Sequence, residues 1–204
     1  RFPTVSFPNP EEPGALDLAQ AAADQEGADL ILANDPDADR LAAAVPTDDG
    51  WRILSGNQIG VLMADYLLDA WDGDERPMVI NSIVSTPMLG SIADAHGARF
   101  EQTLTGFKWI ANAALDLEEA GEGRFVFGFE EALGYSVGTV VLDKDGLSAG
   151  LVFADLAGRM ADEGRSLLDR LADLYRRHGV WVSTQVSVVR PGTSGKAEID
   201  AAME

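Results

Sequence analysis

The sequence predicts an α/β protein: two tandem three-layer α/β/α domains with mainly parallel mixed sheets, the first of them incomplete. Apolar runs typical of strands alternate with helical stretches of about 10 to 15 residues, which is the pattern of parallel sheets covered by helices. One plan occurs twice, at 28–45 (ADLILANDPDADRLAAAV) and at 123–141 (GRFVFGFEEALGYSVGTVV). Each copy has an apolar strand, an acidic loop and a second strand. Two similar units in tandem would produce this repeated pattern.

The first unit is predicted to span residues 1–50, with the boundary at a hairpin between about residues 46 and 56. Its alternating and apolar runs predict strands, and apolar residues at helical spacing that stop at Gly27 predict a helix. The elements in order are a strand at 3–7 (PTVSF), a helix at 16–28 (LDLAQAAADQEGA), strands at 29–33 (DLILA) and 41–45 (LAAAV), and a hairpin formed by 47–50 (TDDG) and 51–54 (WRIL).

The second unit is predicted to span residues 51–182, and residues 183–204 form a linker and the start of a further domain. Ser55 and Ser166 stand where helix N-caps are expected. The predicted helices are 55–73, 86–97, 105–121, 145–164, 166–179 and a final one that begins near 194. The predicted strands are 77–85, 98–104, 124–130, 136–141 and 180–189.

Composition narrows the possible functions. The formal charge of −19 would repel nucleic acid and the anionic face of a membrane, so neither is an expected partner. The chain has no cysteine, which excludes disulfides and thiolate metal sites and is compatible with the cytoplasm. No apolar run is long enough to cross a bilayer. Arg1 opens the sequence without a start methionine or a leader, so we expect a fragment of a longer protein.

The segment NDPDADR at 34–40 is the strongest candidate site, because Asp35, Asp37 and Asp39 stand on alternate positions between two apolar runs. In an extended loop these side chains would project to the same side. Three carboxylates without Cys or His nearby favour Mg²⁺ or Mn²⁺ over Zn²⁺. Arg40 could hold a phosphoryl group bidentately, or it could pair with the aspartates themselves.

Other interpretations of this segment stay open from the residues alone. Asp and Pro favour solvated turns without any metal. A phosphatase that uses an aspartate nucleophile also carries D-x-D at a strand end, although it would want a small Thr or Val at position 39. An EF-hand is disfavoured, because Arg40 stands where its glycine should be and Pro46 where its glutamate should be.

Four segments in one order resemble the α-D-phosphohexomutase superfamily, closest to its phosphoglucomutase/phosphopentomutase branch. They are NDPDADR at 34–40, TLTGFKWIAN at 103–112, GFEEALGY at 128–135 and DKDGLSA at 143–149. The segments FPNPEEPGAL and SGNQIG fit as well, and the similarity covers nearly the whole chain. The resemblance implies the second half of domain II at 1–50, domain III at 51–182 and the start of domain IV at 183–204.

The resemblance also implies roles for single residues. Asp35, Asp37 and Asp39 would hold Mg²⁺, and Arg40 would lie beside the phosphoryl group of a phosphoserine that is outside this chain. Lys108 would be the charged contact of the loop at the sugar, and Lys144 would bind the substrate's phosphate. The remaining sugar-binding residues would be Thr105, Gly106, Phe107, Glu130 and Glu131. Many relatives carry Ser where this chain has Ala132, which leaves the preferred sugar undecided.

The implied activity is that of a phosphosugar mutase, which moves a phosphate between two positions of one hexose or pentose through a bisphosphorylated sugar. We expect this chain to be inactive without the remaining domains of the same enzyme. Two alternatives remain at this stage: a Mg²⁺-dependent phosphatase with an aspartate nucleophile, and a non-catalytic module that binds phosphosugars. From the residues alone, Lys108 could also be an ordinary surface residue, and Glu130 and Glu131 an ordinary solvated turn.

Overall fold

The computed structural model describes Val5, residues 9–184, Gly192 and residues 195–203, and it confirms the predicted α/β class. Within the described residues, its first unit contains one helix and a three-stranded sheet in the order β1-β2-β3. The elements are α1 (Asp17–Glu26), β1 (Ile31–Asn34), β2 (Leu41–Thr47) and β3 (Gly50–Ile53). Gly27 ends α1 in the left-handed region (φ 63°), as its position in the sequence predicts.

Among the described strands of the first unit, all pairings are antiparallel, which differs from the mainly parallel sheet that the sequence suggested there. The reason is the length of the connections. Six residues join β1 to β2 and two join β2 to β3, whereas a crossover between parallel strands needs a dozen or more. Helix α1 packs on this sheet through Ala23, which contacts Ile31 and Ala44.

The second unit contains a four-stranded sheet in the order β5-β4-β6-β7, in which only β7 runs antiparallel to its neighbour. Its strands are β4 (Pro77–Ser82), β5 (Arg99–Thr103), β6 (Arg124–Glu130) and β7 (Gly134–Val137). Its helices are α2 (Gly56–Asp69), α3 (Met88–Ala95), α4 (Phe107–Glu119), α5 (Gly146–Asp162) and α6 (Leu167–His178), and α7 (Gly195–Met203) follows. After β4 the chain forms β5 on one side of it and then β6 on the other. Because these three strands are parallel, the loops that follow them lie at the same edge of the sheet.

The second sheet is the middle of three layers. Met78 and Ile80 face α4, where they pack with Ile110, while Val79 faces the larger core formed by α2, α3, α5 and α6. The larger core also contains a stack of three rings, from Phe127, Phe129 and Tyr135, whose centroids are 5.9 to 6.5 Å apart. The three-layer prediction is confirmed for this unit.

The two units share one core and one stretch of backbone pairing. The Leu41 amide donates a hydrogen bond to the carbonyl of Leu133 (3.0 Å), and Arg40 forms an isolated antiparallel bridge with Gly134. Leu41 belongs to the same buried cluster as Tyr135 and Phe153. These contacts place the loop between β1 and β2 next to the loop between β6 and β7.

Both predicted serine caps are confirmed. The Ser55 hydroxyl accepts a hydrogen bond from the Gln58 amide, and the Gln58 side chain accepts one from the Ser55 amide. Ser166 and Asp169 form the same reciprocal capping box at the start of α6. Each box satisfies amides that a helix start otherwise leaves unpaired.

Three predicted strands differ from the structure or lie outside it. The strand predicted at 136–141 is shifted to Gly134–Val137, because Gly138 turns the chain at φ 60°. The first half of the strand predicted at 180–189 is wrong, since residues 180–184 form no regular structure. Its second half, and the strand predicted at 3–7 except for Val5, lie outside the described residues. Among the described helices, none is long and apolar enough to cross a membrane.

Two helix glycines provide a test of core packing. A methyl group at Gly60 in α2 would come within 2.6 Å of the Phe129 ring, whereas a methyl group at Gly158 in α5 would meet nothing within 4 Å. Replacing Gly60 by Ala should lower the free energy of unfolding by about 1–3 kcal/mol, because overpacking strains the core. The matched G158A variant should raise it by about 0.5–1 kcal/mol, because alanine favours an exposed helix. Chemical denaturation measures both, and a G60A protein as stable as G158A would contradict the packing described.

Candidate functional site

The loop at 35–40, which connects β1 to β2, brings the three aspartates together. One carboxylate oxygen from each of Asp35, Asp37 and Asp39 lies within 4.8 Å of the others. The predicted convergence is confirmed, but the extended loop on which it was based is wrong. The loop is a turn: the Ala38 amide donates to the carbonyl of Asp35 (3.0 Å), and Ala38 is left-handed at φ 58°. The carboxylates therefore converge by chain reversal and not by strand alternation.

Arg40 holds the most buried of the three aspartates. Its Nε donates to Oδ2 of Asp35 at 2.6 Å, and its backbone amide donates to Oδ1 at 3.2 Å. Only 6% of Asp35 is exposed. Burial alone would raise the pKa of the Asp35 carboxyl, but the hydrogen bonds and charge of Arg40 outweigh it and hold that pKa below its ordinary value. Asp35 is thus an ionised and oriented acceptor.

Lys144 reaches the same loop from the connection between β7 and α5. Its Nζ lies 2.6 Å from Oδ2 of Asp39, and this hydrogen bond raises the pKa of Lys144, with the nearby aspartate charges adding to the effect. Asp145 caps α5 by accepting hydrogen bonds from the amides of Leu147 and Ser148. Because Asp145 directly follows Lys144, this cap also holds the backbone next to Lys144 in place.

Gly146, the first residue of α5, explains how the helix approaches the acidic loop so closely. A Cβ atom there would lie 2.4 Å from the carbonyl oxygen of Arg40, 2.4 Å from Nδ2 of Asn34 and 2.8 Å from the carbonyl oxygen of Ala38. Its amide donates to that Ala38 carbonyl at 3.1 Å. Only a residue without a side chain allows this contact between the two units.

These groups line a cavity of about 350 Å³. Its lining residues are Asp35, Asp37, Asp39, Arg40, Glu130, Ala132, Gly134 and Lys144. Four carboxylates there face two cationic side chains, so the lining carries an excess of two negative charges at neutral pH. One divalent cation would balance this excess, and three carboxylate oxygens at this separation are ligands of the kind that Mg²⁺ takes. The residues present therefore fit a bound divalent ion.

Glu130 connects this cavity to the loop after β5. Its Oε1 accepts a hydrogen bond of 2.6 Å from the amide of Gly106. The neighbouring Glu131 and Thr105 line a second, larger cleft of about 930 Å³ on the other side of Ala132, which borders both spaces. Three of the predicted site residues, Thr105, Glu130 and Glu131, thus line one or the other of two cavities that share Ala132.

Two predicted substrate contacts are placed elsewhere. Phe107 is buried beside Met78 and Ile110, so its ring supports the sheet from the α4 side. Lys108 is exposed, with its Nζ 5.1 Å from the centre of the Trp109 ring. Neither residue lines the two cavities. Their roles in substrate binding stay predictions.

The sequence reasoning missed a polar cluster behind the larger cleft. Asn81, Ser82, Ser85 and Thr86 are all buried, and Asn57 at the start of α2 accepts a hydrogen bond of 2.9 Å from the Thr86 amide. A signal was present in the sequence, because these polar residues form the end of β4 and the loop that directly follows its apolar part. Ligand sites in α/β sheets lie at the carboxyl ends of such strands, where the chain changes side.

Comparison with known proteins gives two matches to models of one family. The model described as phosphoglucomutase/phosphomannomutase, alpha/beta/alpha domain III, matches residues 55–178, and the domain II model matches residues 1–50. The chain is 45% identical over 189 residues to a probable phosphomannomutase of Haemophilus influenzae, covering 92% of this chain and 37% of that protein. It is 44% identical over 192 residues to a phosphopentomutase of Mus musculus, covering 90% and 31%.

Among solved structures, a phosphoglucomutase of Paramecium, pp63/parafusin in its open form, superposes with a TM-score of 0.64. The match has 18% sequence identity and covers 85% of this chain and 30% of that one, so it bears on the fold alone. The chain spans about a third of the length of the curated relatives described above.

The acidic loop provides a direct test with metal alone. Replacing Asp37 by Asn should weaken Mg²⁺ binding by about tenfold or more, because one of three converging carboxylate charges is lost. Titration calorimetry at neutral pH measures the affinity. The matched control is D49N, which removes the same charge from the exposed turn between β2 and β3. Equal Mg²⁺ affinities of D37N, D49N and the unsubstituted chain would contradict a metal site at this loop.

Proposed function

The chain belongs to the phosphoglucomutase/phosphomannomutase family, and we propose that it is the central part of a phosphosugar mutase, which moves a phosphate between two positions of one sugar. One observation carries the proposal. The aspartate triad, Arg40 and Lys144 meet Glu130 around a single cavity. Such a cavity combines a cation site, two positive side chains and an acceptor for hydroxyl groups, which together suit a phosphorylated sugar.

The domain arrangement is part of the proposal. Residues 1–50 would form the second half of domain II, residues 51–182 domain III, and residues 183–204 the start of domain IV. The extent of the two family matches supports the first two assignments.

The cytoplasm is the proposed location.

Asp35, Asp37 and Asp39 would hold Mg²⁺, which when bound would neutralise charge on the transferring phosphoryl group. Arg40 keeps Asp35 ionised and oriented through two hydrogen bonds. It would also present its guanidinium beside the phosphoryl group. Lys144 would contribute a point charge toward the substrate's phosphate, since its raised pKa keeps it protonated at neutral pH.

Glu130 and Glu131 would read the sugar, because ionised carboxylates act only as acceptors and pair with sugar hydroxyls. They face two cavities that meet at Ala132. Thr105 and Gly106 would border the sugar from the loop after β5. Phe107 and Lys108 would act from the first turn of α4, which follows this loop, Lys108 as a charged contact of the substrate and Phe107 by packing beneath the loop.

In the proposed reaction a phosphoserine outside this chain gives its phosphoryl group to the free hydroxyl of a sugar monophosphate. The new sugar O–P bond forms as the serine O–P bond breaks. The bisphosphorylated sugar then turns over in the cleft, and its other phosphate returns to the serine. This chemistry depends on positioning and charge neutralisation, which are the contributions that a rigid loop cluster can make.

The structure disfavours Asp35 as the nucleophile of an aspartate phosphatase, because Arg40 engages both of its carboxylate oxygens. Incubation with glucose 1,6-bisphosphate followed by mass spectrometry separates the two activities. A mutase of this kind should leave no phosphoaspartate on this chain, whereas a phosphatase would carry one at Asp35, Asp37 or Asp39.

The proposal is tested by a graft. This chain replaces the matching segment of the Mus musculus phosphopentomutase, to which it is 44% identical. We expect the chimera to move phosphate between C1 and C5 of ribose phosphate, and expect the same chimera with Asp37→Asn to lose at least about tenfold in kcat/KM, since the ion neutralises charge in the transition state. Thermal unfolding verifies that both chimeras fold. A folded chimera without turnover would contradict the proposed function.

Lys144 yields a second prediction on the chain itself. With Mg²⁺ present, Lys144→Gln should weaken glucose 1-phosphate binding by about tenfold, because a charge-assisted contact to phosphate is lost. Calorimetry measures the affinity. Arg52→Gln is the matched control, since it removes a positive charge from an exposed residue of β3 that lines neither cavity. The prediction fails if K144Q binds glucose 1-phosphate as tightly as R52Q.

A further inference from the structure

The Ser85 hydroxyl makes three hydrogen bonds, and two of them are to Glu131. Its Oγ donates to Oε2 of Glu131 at 3.0 Å and accepts from the Glu131 backbone amide at 3.0 Å. The Ser82 hydroxyl lies 2.8 Å from the same Oγ and 3.4 Å from Oε2 of Glu131. If Ser82 donates to Ser85, the one donor and both acceptor positions of the Ser85 hydroxyl are used.

The loop that carries Ser85 is held from several sides. The Ser85 amide donates to the Ser82 carbonyl (3.0 Å), which closes a turn directly after β4. The Asn81 side chain donates to the Thr86 carbonyl (3.0 Å), and Asn57 accepts from the Thr86 amide. Ser82 is fully buried and Ser85 is 2% exposed. The Ser85 hydroxyl is therefore buried and held in one orientation, instead of rotating freely in solvent.

Glu131 is fixed at its backbone as well as at one carboxylate oxygen. Its carbonyl oxygen lies against Gly56, where an added Cβ would come within 1.9 Å. Ser85 holds Oε2, and the Ser82 hydroxyl lies farther away at 3.4 Å, while Oε1 has no hydrogen-bond partner among the residues that the structure describes. Since Glu131 lines the larger cleft, this arrangement leaves one carboxylate oxygen for a ligand.

We propose that Ser85 is a positioning residue for sugar recognition, which aims the free carboxylate oxygen of Glu131 into the larger cleft. The inference rests on the proposed function, because it assumes that the cleft takes the sugar of a phosphosugar. It assigns Ser85 no contact with the substrate. Ser85 acts only through Glu131, and it orients the backbone and the carboxylate of that residue together.

The test compares binding of glucose 1-phosphate and of inorganic phosphate to the chain, with Mg²⁺ present, by calorimetry. Ser85→Ala should weaken glucose 1-phosphate binding by about tenfold, as expected when a hydrogen bond to a charged group is lost. Binding of inorganic phosphate should stay unchanged, because it does not use Glu131. Ser91→Ala on α3 is the matched control and should bind both ligands as the unsubstituted chain does.

A double-mutant cycle separates positioning from a general structural effect. Glu131→Gln should weaken glucose 1-phosphate binding, and adding Ser85→Ala to it should cause less than about a twofold further loss, because Ser85 then has no carboxylate to orient. Hydrogen exchange of the Glu131 amide should become faster in S85A, since its acceptor is gone. Unchanged glucose 1-phosphate binding in S85A, or a full tenfold loss on top of E131Q, would overturn the proposal.

Two further results distinguish a failure of the positioning role of Ser85 from a failure of the proposed function. If S85A does not fold, Ser82→Ala decides, because it removes only the hydroxyl behind Ser85. A loss of about threefold that disappears in the E131Q background is expected, and no loss would overturn the positioning role. An unsubstituted chain that binds inorganic phosphate but no phosphosugar would overturn the proposed function, and the positioning role with it.

Discussion

The close contact between the first turn of α5 and the acidic loop is the constraint on which the arrangement of the site depends. Gly146 leaves room for two carbonyl oxygens of the loop, and its amide bonds to one of them. This contact joins the antiparallel sheet of the first unit to the mixed sheet of the second. It also brings Lys144 to Asp39, so that a carboxylate from one unit and an ammonium group from the other are placed by a single backbone contact. Together with the hydrogen bond from the Leu41 amide to the Leu133 carbonyl, it fixes the acidic loop relative to the loop between β6 and β7.

Charge explains why the loop needs such support. Converging carboxylates repel one another, and this repulsion is strongest where water is excluded. Arg40 offsets it at Asp35, which is the buried member, and Lys144 offsets it at Asp39. Asp37, which is exposed, is screened by solvent. The most buried aspartate, Asp35, thus pairs with Arg40, the half-buried Asp39 pairs with Lys144, and the exposed Asp37 relies on solvent.

Much of the fold could be predicted because its signals are local. Helix caps at Ser55 and Ser166 and the glycine stop at Gly27 depend on a few neighbouring residues, and the structure has all three. The convergence of the aspartates could also be predicted, although its cause could not, since a left-handed Ala38 leaves no mark in the sequence. The partners of Glu131 could not be predicted either. Ser85 lies 46 positions before it, and only the parallel pairing of β4 with β6 brings their loops together.

Ala132 forms the wall where the acidic cavity meets the larger cleft. A methyl group has neither a donor nor an acceptor, so it is indifferent to which face of a ring lies against it. The bisphosphorylated sugar of the proposed reaction would lie in the cleft in two opposite orientations, and a polar wall would favour one of them. In the proposed mutase, this apolar partition would leave discrimination between sugar hydroxyls to Glu130 on one side and Glu131 on the other.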